Sequence, residues 1–257
     1  MKVAVVFIGT NKYIDFLPKY YENIEKYFLP NSEKTFLVFT DGELNETPDN
    51  VRVYHQEHLA WPYITLKRFE IINKARQDIE KHDWLVFLDA DTLVVDTVTE
   101  EDFLHRCCNK TPEEIPLFGV HHPCHFLQLT GRAHMPPHDK PPGAYEQNPG
   151  SEAYVDMDDE DFHFGAVPYF QGCFWGGKVP EVCAMIDELE ARVNRDLERD
   201  VVAVWHDESH LNKYYLENEF KVNVFHPQYA HPEVFKDYCD WEPKIVHLAK
   251  DNSEYQQ

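Results

Sequence analysis

The 257 residues carry 24 Lys plus Arg against 46 Asp plus Glu, a formal charge of −22, with 43% hydrophobic and 14% aromatic residues. This composition excludes a disordered or fibrous chain, and the acidic field argues against nucleic acid and anionic membranes as partners, since no basic patch offsets it. A chain of this length buries about three quarters of its extended-chain surface, so its core needs no covalent staples.

The six cysteines (Cys107, Cys108, Cys124, Cys173, Cys183 and Cys239) form no C-x-x-C pair and read as reduced cytoplasmic thiols. No apolar stretch approaches the roughly 20 residues a bilayer span needs, which points to a soluble, cytoplasmic protein.

Along the chain, the β-branched run Val3 to Ile8 predicts a strand, and apolar residues at helical spacing from Tyr13 to Phe28 predict a helix. Lys34 to Thr40 and Val51 to His55 read as further strands, and Trp61 to Ile79 as one long helix. Trp84 to Leu88 is an uninterrupted apolar strand that stops at Asp89-Ala90-Asp91. Strands apolar on both faces, alternating with helices, predict an α/β domain with a mostly parallel sheet and ligands at the carboxyl ends of its strands.

From Leu129 to about Phe164 the pattern dissolves into prolines, glycine and an acidic run, the signature of a functional lid or of disorder. Tyr169 to Gly177 then predicts a strand, Pro180 to Asn194 and Trp205 to Glu217 helices, and Lys221 to Phe225 a short strand. The tail after Lys244 shows no obvious element. There is neither repeat nor linker, so the chain reads as one domain.

Three constellations could carry chemistry. Asp89 and Asp91, two residues apart at a strand end, suit a hard divalent cation that clamps a diphosphate. In Trp205-His206-Asp207-Glu208-Ser209-His210, the two histidines share a helix face as in the H-E-x-x-H zinc motif, but Asp207 stands where that motif needs Glu. Asp207 and Glu208 also suit a carboxylate nucleophile and its neighbour. The irregular set His121, His122, Cys124, His125, His134 and His138 fits a structural zinc site poorly; a histidine lining a substrate pocket fits better. G-x-G-x-x-G and P-loop patterns are absent, which argues against a dinucleotide dehydrogenase or a P-loop NTPase.

The stretch Val204-Trp205-His206-Asp207-Glu208-Ser209-His210-Leu211-Asn212-Lys213-Tyr214 resembles the most diagnostic segment of glycosyltransferase family 6, the blood-group A/B transferase and α-1,3-galactosyltransferase family. Leu117-Phe118-Gly119 with His122-Pro123, Tyr145-Glu146 with Pro149 and Ala153-Tyr154, and Phe174 with Gly176-Gly177 accompany it in order. The similarity spans about residues 3 to 250 and covers the catalytic domain alone, which suggests a soluble bacterial or viral relative.

The resemblance implies a GT-A fold in one domain over 1–257, with 1–95 as the nucleotide-sugar half and 96–257 as the acceptor-binding and catalytic half. It further implies retaining transfer of galactose or N-acetylgalactosamine from a UDP-sugar to the 3-hydroxyl of a β-galactoside oligosaccharide, with or without a fucose. By motif, Asp89 and Asp91 would hold Mn²⁺, or Mg²⁺, on the diphosphate. Ile8, Thr10 and Tyr13 would cradle uridine, Arg68 and Asp207 would face the donor, and Lys250 would close over UDP. Glu208 would be the catalytic carboxylate. His122, Ala144 and Trp205 would meet the acceptor.

Gln171 and Cys173 occupy the positions that help choose the donor sugar. Neither is the family's familiar residue, and Cys173 leaves less room for an N-acetyl group. Pro232 falls where the family places an acceptor-binding aspartate, with His231 and Glu233 as substitutes, and Asp251 to Gln257 offers no arginine for closure. Two rival readings remain: a UDP-sugar or glycan-binding protein that lost turnover, and a zinc hydrolase using His206 and His210.

Overall fold

The computed structural model describes residues 1–44, 46–104, 114–131, 144–158 and 168–250. Its main sheet is assembled from β1 (Lys2–Ile8), β2 (Glu33–Thr40), β3 (Val51–His55), β4 (Trp84–Leu88), β6 (Leu117–His121), β7 (Phe170–Lys178) and β8 (Val222–Phe225). A smaller sheet joins β5 (Thr92–Val94), β9 (His231–Pro232) and β10 (Ile245–His247).

In the seven-stranded sheet the order is β3-β2-β1-β4-β7-β6-β8, and only β7 runs against its neighbours. This is the mostly parallel, helix-flanked α/β architecture expected of a GT-A fold. The period-two alternation of a strand divides the core in two. Ala4, Val6, Leu37, Phe39, Leu85 and Phe87 pack on one face with the Val179–Leu197 helix, whereas Val3, Val5, Phe7, Phe36, Val38, Val86 and Leu88 pack on the other with Tyr20 and Ile24. Burial on both faces accounts for the unbroken apolar runs.

Two long helical patterns resolve differently from the sequence expectation. Over 13–28 the chain makes a 3₁₀ turn, Asn11–Phe16, before an α-helix, Leu17–Tyr27. Pro18 has no N–H with which to continue a preceding helix, and a proline is tolerated only in a helix's first turn. Over 61–79 one helix becomes three short ones, Tyr63–Leu66, Arg68–Asn73 and Arg76–Ile79, because Lys67 and Ala75 leave helical backbone geometry. The first break starts a new segment at Arg68, whose side chain is buried.

β5, β6, β9 and β10 and the helices Glu100–Leu104 and Pro123–Leu129 complete the fold. The tail after Lys244, expected to be featureless, forms β10, antiparallel to β5 and parallel to β9. Of the supposed lid, 144–158 is built into the body: buried Asp196 accepts from Ser151 Oγ at 2.6 Å and from the Glu152 backbone at 2.8 Å. Residues 132–143 and 159–164 of that stretch, His134 and His138 among them, lie outside the described residues, as do Cys107 and Cys108. The four described cysteines are free thiols, and no described helix is long and apolar enough to cross a membrane.

β7 can lie between β4 and β6 only because Gly176 has no side chain. A Cβ there would overlap the Leu85 carbonyl oxygen and come within 2.9 Å of the Phe118 ring. We expect Gly176→Ala to destabilise the protein by about 3 kcal/mol, at the upper end of overpacking costs, as measured by urea unfolding; unchanged stability would refute this packing.

Candidate active site

At the carboxyl ends of β1 and β4 the sheet opens into a cleft of about 190 Å³. Ile8 and Thr10 line it from the end of β1, Asp89 and Asp91 from the end of β4, Arg68 from the broken helix, Tyr13 from the 3₁₀ turn, and Lys250 from the chain's end. All seven were singled out in the sequence, and folding gathers them from positions up to 242 residues apart. His58, Leu59, Trp61, Ile64 and Thr65 also line the cleft, and the sequence reading missed them. A ligand pocket recruits such side chains by position, and no motif marks them.

Arg68 is the site's organising charge. Its guanidinium, 7% exposed, bonds Asp207 at 2.7 Å, Asp89 at 3.1 Å and the Gly172 carbonyl at 2.6 Å, and it stacks 4.2 Å from the centre of the Phe87 ring. A buried cation is stable only when paired and hydrogen-bonded, and the fork geometry of arginine lets one side chain tie three elements together.

Asp207 and Glu208 sit in the first turn of the His206–Glu217 helix. Asn212, one turn later, docks that helix on β7: it accepts from the Phe170 N–H at 2.7 Å and donates to the Phe170 carbonyl at 2.8 Å. Residues four apart share a helix face, so the same docking aims Glu208 at Gly172, whose N–H donates to the carboxylate at 2.7 Å. A Cβ on Gly172 would stand 3.1 Å from that of Glu208, a spacing tight enough to explain the glycine.

Burial raises the Glu208 carboxyl to about 7, against the stabilising Gly172 N–H, and the neighbouring Asp207 adds to the rise. Burial likewise raises Asp207 to about 6, with Arg68 opposing. A carboxylate with raised proton affinity in a cleft is a mark of catalytic sites.

Asp89, Asp91 and His247 bring one donor atom each within 4.8 Å of one another, the metal-capable group found among the described residues. Two hard carboxylate oxygens and an imidazole nitrogen fit a divalent cation such as Mn²⁺. Asp91 is also ion-paired with Lys250, whose ammonium lies 4.8 Å from the Tyr13 ring centre. Burial would raise the Asp91 carboxyl, but His247 and Lys250 outweigh it and hold the group well below the ordinary carboxylate range.

On the other side of Glu208, His122 and Tyr145 both pack edge-on against Tyr169, and Trp205 joins the same small cluster; Ala144 directly precedes Tyr145. Gln171 is turned inward: its amide donates to the Ala230 carbonyl at 2.7 Å, and its oxygen lies 3.6 Å from the Cys173 thiol. Glu233 accepts from the Ala249 N–H at 2.8 Å, and His231 is buried against Trp241. The two histidines of the zinc-like motif do not converge. His210 is fully buried with Nε2 3.5 Å from Asp196, and His206 packs on Trp61 with ring centres 4.8 Å apart. Between His121 and His125 there is a direct 2.8 Å contact.

A family model described as Glycosyltransferase family 6 matches residues 1–256. The chain is 28% identical over 236 residues to histo-blood group ABO system transferase 2 of Rattus norvegicus, covering 88% of this chain and 62% of that protein. It is 26% identical over 257 residues to the O-antigen biosynthesis glycosyltransferase WbnI of Escherichia coli, covering 99% and 97% respectively. Against globoside alpha-1,3-N-acetylgalactosaminyltransferase 1 of Gallus gallus it is 24% identical over 226 residues, covering 84% and 58%. The chain therefore spans about three fifths of the length of these animal relatives and nearly all of the bacterial one.

A carboxyl whose folded pKa is raised contributes stability that is fully present below its unfolded pKa and is lost as pH rises through the folded value. For Glu208 that window runs from about 4.5 to about 7. Glu208→Gln, which keeps an acceptor for Gly172 without the charge, should therefore be more stable than the parent at pH 8 by on the order of 2 kcal/mol. The gain should vanish by pH 4, and urea unfolding at both pH values would test it; a pH-independent difference would contradict the burial of this charge.

Proposed function

The chain belongs to glycosyltransferase family 6, and on that footing we propose that it transfers galactose or N-acetylgalactosamine from a UDP-sugar to the 3-hydroxyl of a β-galactoside acceptor, with retention of configuration. One observation carries this reading: Arg68, which lines the cleft with Asp89 and Asp91, pairs with Asp89 of the D-x-D segment and with Asp207, next to Glu208. Diphosphate-binding and sugar-facing groups thus meet where the donor's glycosidic bond would lie.

Ile8, Thr10 and Tyr13 receive the uridine. Asp89 and Asp91 would hold a divalent cation, Mn²⁺ or alternatively Mg²⁺, which would supply positive charge to the diphosphate of the departing UDP. Lys250 adds a second positive charge from the chain's end and answers the acidity of the whole molecule at the one place where a polyanion must bind. Asp207, kept in place by Arg68, takes hydroxyls of the donor sugar.

Glu208 acts on the anomeric carbon, as nucleophile or as stabiliser of an oxocarbenium-like state. The burial that raises its proton affinity also leaves its negative charge poorly solvated, which strengthens its attraction for positive charge developing on the sugar. The acceptor enters over His122, Ala144 and Trp205. With Cys173 narrowing the donor pocket, galactose is the favoured sugar over N-acetylgalactosamine.

UDP release should be measured with UDP-galactose, UDP-N-acetylgalactosamine, UDP-glucose and UDP-N-acetylglucosamine, with lactose or 2'-fucosyllactose, in Mn²⁺ and in EDTA. We expect Mn²⁺-dependent turnover of one donor, raised by acceptor, and a loss of about 10³-fold or more in Glu208→Gln with UDP-sugar binding retained. Turnover that survives EDTA would remove the metal from the reaction. Silence with every donor would favour a sugar-binding protein.

A further inference from the structure

The sequence assigns the cation to Asp89 and Asp91 alone, yet the fold brings a nitrogen donor to the same place from the far end of the chain. β10 pairs antiparallel with β5 so that His247 stands opposite Thr92, one residue beyond Asp91. The Leu248 N–H donates to the Asp91 carbonyl at 3.0 Å, which locks this register beside the carboxylate itself. His247 is thereby held at the metal-binding segment by backbone bonds rather than by a flexible side chain.

The oxygens are already divided between two tasks. Arg68 takes Asp89 Oδ1 and Lys250 takes Asp91 Oδ2, while the described residues offer no hydrogen-bond donor to Asp89 Oδ2. Asp91 Oδ1 faces His247 Nδ1 at 3.8 Å. That distance is too long for a hydrogen bond, which ends near 3.2 Å. It suits two ligands of one ion: donors each about 2.1 Å from a shared cation stand about 3.0 Å apart at a right angle and about 4.2 Å apart when opposed.

Besides Asp91, the imidazole interacts with the Cys173 thiol, and its remaining contacts are few. Its side chain is 11% exposed, its Nε2 is buried without a hydrogen-bond partner among the described residues, and Nδ1 has only a long 3.4 Å approach to Thr92 Oγ1. We propose that His247 is a third protein ligand of the divalent cation, completing with Asp89 and Asp91 a site of two carboxylates and one imidazole. This rests on the metal-dependent reading above. The nitrogen donor shifts the site's preference away from Mg²⁺ and towards Mn²⁺ and later first-row ions, and it makes the C-terminal strand part of the cation site.

Mn²⁺ bound to the protein in the presence of UDP can be read directly by EPR. Pulsed spectra of the parent should contain the nitrogen coupling of a directly bonded imidazole, and incorporation of ¹⁵N-histidine should change it. In His247→Gln the coupling should disappear and Mn²⁺ affinity should fall by about tenfold or more, the scale on which even outer-shell partners of metal ligands act. Protein-bound Mn²⁺ with no histidine coupling, or unchanged affinity and coupling in the variant, would overturn the third ligand while leaving the metal in place. Absence of any Mn²⁺ binding beyond that of free UDP would overturn both. The isotope experiment needs no variant, so it decides even if His247→Gln fails to fold.

Discussion

A buried guanidinium cannot be left unpaired, and the placement of Arg68 is the constraint around which this site is arranged. It reaches the end of β4 through Asp89, the His206–Glu217 helix through Asp207 and the middle of β7 through the Gly172 carbonyl. Removing one partner from such a network would leave an uncompensated charge in a low-dielectric interior, at a cost of roughly 3–5 kcal/mol. Three elements that share no sequence neighbourhood are therefore held in one register by electrostatics rather than by apolar packing alone.

Glu208 sits just outside that network and benefits from it. The Asn212 amide clamp on Phe170 and the bare backbone of Gly172 bring the carboxylate against β7, where it accepts from the Gly172 N–H at 2.7 Å. The Gly172 N–H, the Tyr169 hydroxyl and the Arg68 charge together do not offset burial, so the group retains high proton affinity where an ordinary surface glutamate would not. The structure thus holds a well-compensated carboxylate, Asp91, and a poorly compensated one, Glu208, the kind of contrast by which a site can divide binding from bond chemistry.

A second constraint on the fold is the satisfaction of buried polar groups. Asp196, buried in the Val179–Leu197 helix, collects Ser151, the Glu152 N–H and Arg199, and so fastens 144–158 to the body. On the opposite side, the pairing of β10 with β5 and β9 returns the C-terminal strand to the Asp91 segment. Both segments are thus anchored to rigid elements, which fixes irregular chain in a defined place.

By itself the sequence determined the α/β class, most strands of the main sheet, and the groups that carry charge chemistry, because these depend on local period and on residue types grouped within a few positions. Trp84 to Leu88 followed by Asp89 and Asp91, and Asp207 beside Glu208, were legible for that reason. Tertiary structure alone decided what depends on distant partners. The breaks at Lys67 and Ala75 escaped the helical periodicity, which is nearly unchanged by a local shift of ψ. β10 is only three residues long and acquires strand geometry from β5 and β9 rather than from its own propensity. His247 lies 155 residues from Thr92, with no motif to announce it. Its place beside Asp91 follows from sheet register, which long-range pairing sets and local sequence does not encode.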